Sequence, residues 1–135
     1  MRSESAPLAI TMGDPAGIGP EVVVKAFALG RLGPVVVLGD VQVMRRAAAQ
    51  CALELPIAAI ERPADADGVP AGCLAVWAPP GLETGLAGLS MGCVDARAGR
   101  AAARCIEAGA QLALDGDVSA LVTAPIHKEA LAAAG

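Results

Sequence analysis

Short apolar runs alternate with longer stretches of helical periodicity along this chain. Apolar runs rich in Val, Leu and Ala predict buried strands, at residues 8–11, 35–38, 55–60, 74–77 and 119–123. Amphipathic helices are predicted at residues 20–29, 41–52, 94–114 and 126–134. The order β-α-β-α-β-β-α-β-α predicts an α/β fold, an open and mostly parallel sheet with helices on both faces.

Turn-forming residues separate these elements. Pro20 is expected at the first position of a helix, with Glu21 in the first turn, where a carboxylate favours the helix dipole. Asp40 is expected to cap the second helix. Residues 81–92, called the connecting segment below, contain four glycines and predict a mobile connection.

Composition and charge narrow the classes of function. A chain of 135 residues is long enough for one compact domain, and its Ala- and Val-rich composition suits helices packed closely on a parallel sheet. The net charge is −4, and no basic cluster is larger than the pair Arg45 and Arg46. We therefore expect no nucleic-acid partner.

The N-terminus and the cysteines predict a cytoplasmic protein. Residues 1–12 include Glu4 and lack the apolar stretch of a signal peptide. No uncharged apolar run approaches the ~20 residues that span a bilayer, so no membrane partner is expected. The four cysteines show no CxxC spacing, which favours reduced and mostly buried thiols over disulfides.

A glycine-rich turn joins the first strand to the first helix, in the sequence TMGDPAGIGPE; we call its residues 12–19 the glycine turn. Gly13, Gly17 and Gly19 would let a ligand approach the backbone, and the helix N-terminus would offer N–H groups to an anion. The spacing matches neither the dinucleotide fingerprint nor the phosphate loop, so a purely structural turn is an equal alternative. Asp14 is predicted either to face a ligand or to bond its own backbone.

A second group of polar residues follows the last predicted strand, in the sequence LVTAPIHK. Thr123, His127 and Lys128 are expected at the carboxyl end of that strand, where open α/β sheets bind their ligands. His127 is the only histidine, so this chain alone cannot form a His-based metal site, which needs about three protein ligands. A structural and a catalytic role for His127 are both open.

Together the two motifs are much more specific than either one alone. The sequences ITMGDPAGIGPE and LVTAPIHKEALAAAG resemble the 4-hydroxythreonine-4-phosphate dehydrogenase family of pyridoxal phosphate biosynthesis. The glycine-rich stretch ending at Gly92, the Ala-rich helix and the following Asp-Gly-Asp fit the family as well. The resemblance covers essentially the whole chain but only the N-terminal portion of a family member.

The resemblance implies a fold like that of the isocitrate and isopropylmalate dehydrogenases, with two α/β/α lobes, a cleft between them and a homodimer. Residues 1–135 would form the N-terminal part of the first lobe, without the second lobe and the returning C-terminal segment. Family members oxidise the C3 hydroxyl of 4-phosphooxy-L-threonine with NAD, and the product loses carbon dioxide; NADP is the alternative cofactor. A divalent metal (Zn, Mg or Co), held by three histidines outside this chain, polarises the reacting oxygens.

Seven residues of this chain would then line the cleft without completing it: Gly13, Asp14, Gly17, Gly19, Thr123, His127 and Lys128. Thr123 and Lys128 would position a phosphorylated substrate or the cofactor. His127, the one catalytic candidate, would form a hydrogen bond or relay a proton. Some relatives carry Asn at that position, which argues against an obligatory proton transfer, and the chain alone is expected to be inactive.

Three alternatives stay open. Relatives with the same motifs act on phosphorylated threonate or erythronate. The chain would instead be a non-catalytic remnant or a scaffold if no metal-ligating histidines follow Gly135. An acyltransferase of similar architecture rests on fold analogy alone.

Overall fold

The computed structural model describes residues 6–135 and contains a sheet of five parallel strands. The strands are β1 (Leu8–Thr11), β2 (Val35–Leu38), β3 (Ile57–Ile60), β4 (Leu74–Trp77) and β5 (Ala120–Thr123). Their order in the sheet is β3-β4-β2-β1-β5, which places β5 at one edge. The predicted α/β class and the predicted order of elements are confirmed.

Four α-helices connect and follow these strands. They are α1 (Gly19–Ala28), α2 (Val41–Gln50), α3 (Ala96–Leu114) and α4 (Lys128–Ala134), with short 3-10 helices at Pro63–Gly68 and Leu86–Gly88. Helix α1 begins at Gly19, one residue before the predicted first position at Pro20, and the φ of Pro20 suits the first turn of a helix. Helix α4 begins later than predicted, since His127 acts as its N-cap.

The direction of each crossover places the helices on the two faces of the sheet. The chain moves one way along the sheet from β1 through β2 to β3, and the opposite way from β4 to β5. Because such crossovers are right-handed, α1 and α2 lie together on one face and α3 lies on the other. Covered on both faces of the sheet, β2 is completely buried, as its continuous Val-Val-Val-Leu run predicts.

Close packing of α3 fixes the edge strand and the last helix. A Cβ atom at Gly99 would overlap the Ala130 carbonyl group of α4, and one at Gly109 would lie 2.6 Å from Leu121 Cδ1 of β5. These two glycines therefore let α3 approach both elements. Ala113 is exposed, because the last turn of the helix leaves the core.

The connecting segment has fixed contacts, which differs from the mobile connection predicted from its glycines. Leu86 and Leu89 are buried, with 1% and 7% of their surface exposed. The Gly92 amide donates a hydrogen bond of 2.7 Å to the Ala16 carbonyl in the glycine turn. Two apolar anchors outweigh the local flexibility of the glycines, so the segment lies against the domain.

The helices and cysteines fit only part of the expectations from composition. Within residues 6–135, no helix is long and apolar enough to cross a membrane. All four cysteines are free thiols, as predicted. Cys105 is buried, but Cys93 is exposed and Cys51 and Cys73 are half-buried, so the expected burial holds for only one thiol.

The buried thiol of Cys105 predicts a specific dependence of stability on pH. Burial raises the pKa of Cys105 from 9.0 to about 12. As pH rises above 9, the unfolded chain ionises this thiol while the folded protein keeps it protonated, so the free energy of unfolding falls until about pH 12. Urea unfolding between pH 8 and 11 should show a steeper decline for the native protein than for Cys105→Ala. Parallel curves for the two proteins would contradict the assignment.

Candidate functional site

The sheet brings the two sequence motifs together although they are more than a hundred residues apart. Strands β1 and β5 are neighbours, and Thr11 is paired with Thr123 in their register. Since both strands run in the same direction, the glycine turn and the segment after β5 leave the sheet side by side at its carboxyl edge. We call this region the carboxyl-edge site; it contains the glycine turn and residues 123–128.

Two hydrogen bonds join these segments. The Ala124 amide donates to the Thr11 hydroxyl oxygen at 3.3 Å, and the Asp14 amide donates to the Pro125 carbonyl at 3.0 Å. Thr11 is fully buried, so its hydroxyl supplies an acceptor where the sheet ladder ends.

Two of the predicted glycines make room for the chain itself. Gly13 has a φ of +75°, and a Cβ atom there would overlap the Pro125 carbonyl oxygen. A Cβ atom at Gly19 would overlap the Met12 oxygen and lie 2.9 Å from that of Pro125. Gly17 is less constrained, with the Asp14 side chain 3.3 Å away. The structure thus shows a structural reason for Gly13 and Gly19, and ligand contact at the glycine turn stays a prediction.

Asp14 is used within the glycine turn. Its side chain is 4% exposed, and Oδ1 accepts a hydrogen bond of 2.8 Å from the Ala16 amide. The Asp14 carbonyl accepts a second bond from the Gly17 amide at 3.0 Å. Of the two predicted roles, the structure shows the bond to the local backbone.

His127 caps the last helix. Its Nδ1 accepts a hydrogen bond of 3.4 Å from the Ala130 amide, which assigns the proton of a neutral ring to Nε2. The structural role left open by the sequence is therefore present, and the predicted proton relay is not needed to explain this residue. Asn, which occurs in relatives according to the resemblance, is equally suited to an N-cap.

The groups most available to a ligand are Thr123 and Lys128. Both are exposed at the carboxyl-edge site, where one supplies a hydroxyl and the other a cation. The N-cap residue of the neighbouring helix α1 is Ile18, whose side chain provides no cap and is 62% exposed. A cation and an uncapped helix N-terminus at one edge are suited to an anion.

The role of Arg46 is not predicted from the sequence, where this residue is only one member of a basic pair. Its guanidinium donates to the Pro15 carbonyl at 2.6 Å and to the Ala87 carbonyl at 2.5 Å. One signal is present: Arg46 follows the buried Val43 by three residues, which places it on the inner side of α2. Thr11 is not predicted either, because only the position of β5 shows that its hydroxyl has a partner.

Within residues 6–135, no metal-binding cluster is found at this site, and a large cavity lies elsewhere in the domain. No group of three or more His, Cys, Asp or Glu side chains in that range could hold a metal ion. A cavity of about 670 Å³ lies at the opposite edge of the sheet, lined by Pro7, Val35, Leu55 and Cys73 at or before the starts of their strands.

Replacing Gly13 tests the close approach of Pro125. Gly13→Ala should lower the free energy of unfolding by about 3 kcal/mol, from left-handed strain and the clash with the Pro125 oxygen. Gly30 shares the positive φ, but a Cβ atom added there would meet nothing within 4 Å, so Gly30→Ala should cost only about 1 kcal/mol. Gly17→Ala should change stability by less than about 1 kcal/mol. Urea unfolding checks the series, and equal losses at residues 13 and 30 would disprove the clash.

Replacing His127 tests the helix cap. His127→Ala should weaken the start of α4 by about 1 kcal/mol, because the Ala130 amide loses its acceptor, whereas His127→Asn should keep most of that energy. Hydrogen exchange at the Ala130 amide, followed by NMR, should be about fivefold faster in the Ala variant. The cap would be unsupported if exchange were equally fast in both variants.

Comparison with known proteins identifies relatives along nearly the whole chain. The family model described as pyridoxal phosphate biosynthetic protein PdxA matches residues 31–135. The chain is 47% identical over 133 residues to D-threonate 4-phosphate dehydrogenase of Pectobacterium atrosepticum, covering 95% of this chain and 39% of that protein. It is 44% identical over 131 residues to 4-hydroxythreonine-4-phosphate dehydrogenase of Beijerinckia indica, covering 96% and 37%.

A solved structure supports the same assignment. The 4-hydroxythreonine-4-phosphate dehydrogenase of Klebsiella pneumoniae superposes with a TM-score of 0.81 at 40% identity, covering 97% of this chain and 40% of that one. This chain thus spans about two fifths of the length of these relatives. The resemblance inferred from the two motifs is confirmed, and the chain belongs to the family of the pyridoxal phosphate biosynthetic protein PdxA.

Proposed function

We propose that this chain is part of a dehydrogenase that oxidises 4-phosphooxy-L-threonine at C3, with subsequent decarboxylation, in pyridoxal phosphate biosynthesis. The observation that carries the proposal is the match of residues 31–135 to the family model described as pyridoxal phosphate biosynthetic protein PdxA. The chain is also 44% identical to a 4-hydroxythreonine-4-phosphate dehydrogenase over 96% of its length. Residues 1–135 would be the N-terminal part of the first lobe. The second lobe and a returning C-terminal segment would belong to the rest of the polypeptide.

The carboxyl-edge site suits the negative charge of such a substrate. Its phosphate and carboxylate groups would be attracted to the Lys128 ammonium and to the uncapped N-terminus of α1. The Thr123 hydroxyl would supply a neutral hydrogen-bonding group at the same edge. This chain's contribution would therefore be to bind and orient the substrate.

The remaining chemistry would come from groups outside these residues. NAD, with NADP as the alternative, would accept the hydride, and a divalent metal (Zn, Mg or Co) would polarise the reacting oxygens. The described residues do not fit either group alone: no three ligands converge within residues 6–135, and Pro125 fills the space above Gly13 and Gly19. We accordingly place the metal and cofactor contacts in the rest of a cytoplasmic homodimer.

D-Threonate 4-phosphate is the second candidate substrate. The identity of 47% to a D-threonate 4-phosphate dehydrogenase favours it. The two substrates differ at C2, which carries an amino group in the threonine compound and a hydroxyl group in threonate. A residue that recognises C2 would therefore decide between them, and none of the seven predicted site residues is assigned that role.

The mass of the protein expressed from its native locus is the first test. We expect a mass well above 13.3 kDa, together with reduction of NAD in the presence of 4-phosphooxy-L-threonine and loss of activity with a chelator. Higher kcat/KM with D-threonate 4-phosphate would favour the second candidate. A mass of 13.3 kDa without activity on either compound would overturn the proposal in favour of a non-catalytic remnant.

The two lysines of the chain provide a matched pair for the substrate contact. Lys128 lies at the carboxyl-edge site, whereas Lys25 is exposed near the end of α1, away from that edge. Lys128→Gln should raise KM for the phosphorylated substrate by about tenfold, because a charge-assisted contact is lost. Lys25→Gln removes the same charge and should leave KM unchanged. Equal effects of the two changes would indicate only a general loss of positive charge.

A further inference from the structure

Two loop segments meet beside α2 and are joined by three hydrogen bonds. The Arg46 guanidinium donates through Nη2 to the Pro15 carbonyl at 2.6 Å and through Nη1 to the Ala87 carbonyl at 2.5 Å. The Gly92 amide donates to the Ala16 carbonyl at 2.7 Å. The three bonds therefore link the glycine turn to the connecting segment.

The planar shape of the guanidinium suits this contact. Its N–H groups point in fixed directions, so one side chain can bind two carbonyl groups that come from different segments. Pro15 is fully buried, and a buried carbonyl needs a partner. Removing the guanidinium would leave two acceptors to be satisfied by water at a partly buried position.

The contact continues from Arg46 to the carboxyl-edge site. The glycine turn that Arg46 holds at Pro15 also receives the Pro125 carbonyl, which bonds the Asp14 amide and lies against Gly13 and Gly19. Movement of the turn would therefore move the segment that carries Thr123 and Lys128.

We propose that Arg46 is a positioning residue: its guanidinium holds the connecting segment against the glycine turn and thereby fixes the geometry of the carboxyl-edge site. It acts through Pro15 and Ala87 and needs no contact with substrate. The structural part of this proposal stands on the three hydrogen bonds, whereas its effect on catalysis rests on the proposed function.

The adjacent Arg45 is a matched control. It lies on the same helix, is exposed, and donates a single bond of 3.1 Å to the Ile57 carbonyl at the start of β3. Changing it to Gln removes the same charge and a comparable side chain without touching the glycine turn or the connecting segment.

Hydrogen exchange in the natural polypeptide tests the structural part. In Arg46→Gln, the Gly92 amide and the amides of residues 16–19 and 86–92 should exchange about tenfold faster, while those of β2 change little. Arg46→Lys keeps the charge but has a single nitrogen donor, so its exchange rates at these amides should lie between those of the native protein and of Arg46→Gln. Arg45→Gln should match the native rates at these amides. The proposal is overturned if Arg46→Gln leaves them at native rates, or if Arg45→Gln accelerates them equally.

Steady-state kinetics on the same proteins test the catalytic part. If Arg46 positions the site, Arg46→Gln should lower kcat by about tenfold and change KM much less, because small displacements of positioning groups act on the geometry of reaction. Arg45→Gln should keep native kcat. Unchanged kcat in an active Arg46→Gln enzyme would refute the catalytic role. A native protein without dehydrogenase activity would instead refute the proposed function, while the exchange result would still decide the contact.

Discussion

The Pro125 carbonyl oxygen lies where side chains at residues 13 and 19 would otherwise stand, and it accepts the Asp14 amide. This contact holds the exit of β5 against the exit of β1. Because β5 is an edge strand with β1 as its neighbour, its C-terminal end is held by this contact on one side and by the packing of α3 on the other. The start of α4 therefore depends both on Gly99 of α3 and on two glycines that come a hundred residues earlier in the chain.

The hydrogen bonds of Asp14 and His127 decide how the polar residues at this edge are interpreted. The sequence leaves a ligand-facing role open for Asp14 and a catalytic role open for His127, but here both side chains accept backbone amides. Capping and turn formation are the ordinary uses of such residues. The chemistry available at the edge is therefore mainly the charge of Lys128 and the hydroxyl of Thr123, which suits binding and orientation of an anion.

The sequence predicts the fold well because its signals are local. Short Val-rich runs and helical periodicity determine the order of elements. Pro20 marks the start of α1 as predicted, whereas α4 begins later than predicted because His127 caps it. The contacts of the connecting segment are not predicted, because its glycines are visible in the sequence and the burial of its two leucines is not. Thr11 cannot be recognised from local pattern, since its acceptor role depends on a strand that is distant in sequence.

Arg45 and Arg46 show why a site cannot be derived from composition. In the sequence they form one basic pair, yet successive residues of a helix point about 100° apart. Arg45 therefore reaches the Ile57 carbonyl at the start of β3, whereas Arg46 reaches two carbonyls beside the carboxyl edge. Neither forms the basic patch that the pair suggests, because each is used to satisfy backbone acceptors. The chemical type of a residue limits what it can do, and the direction in which the fold points it decides which of those uses occurs.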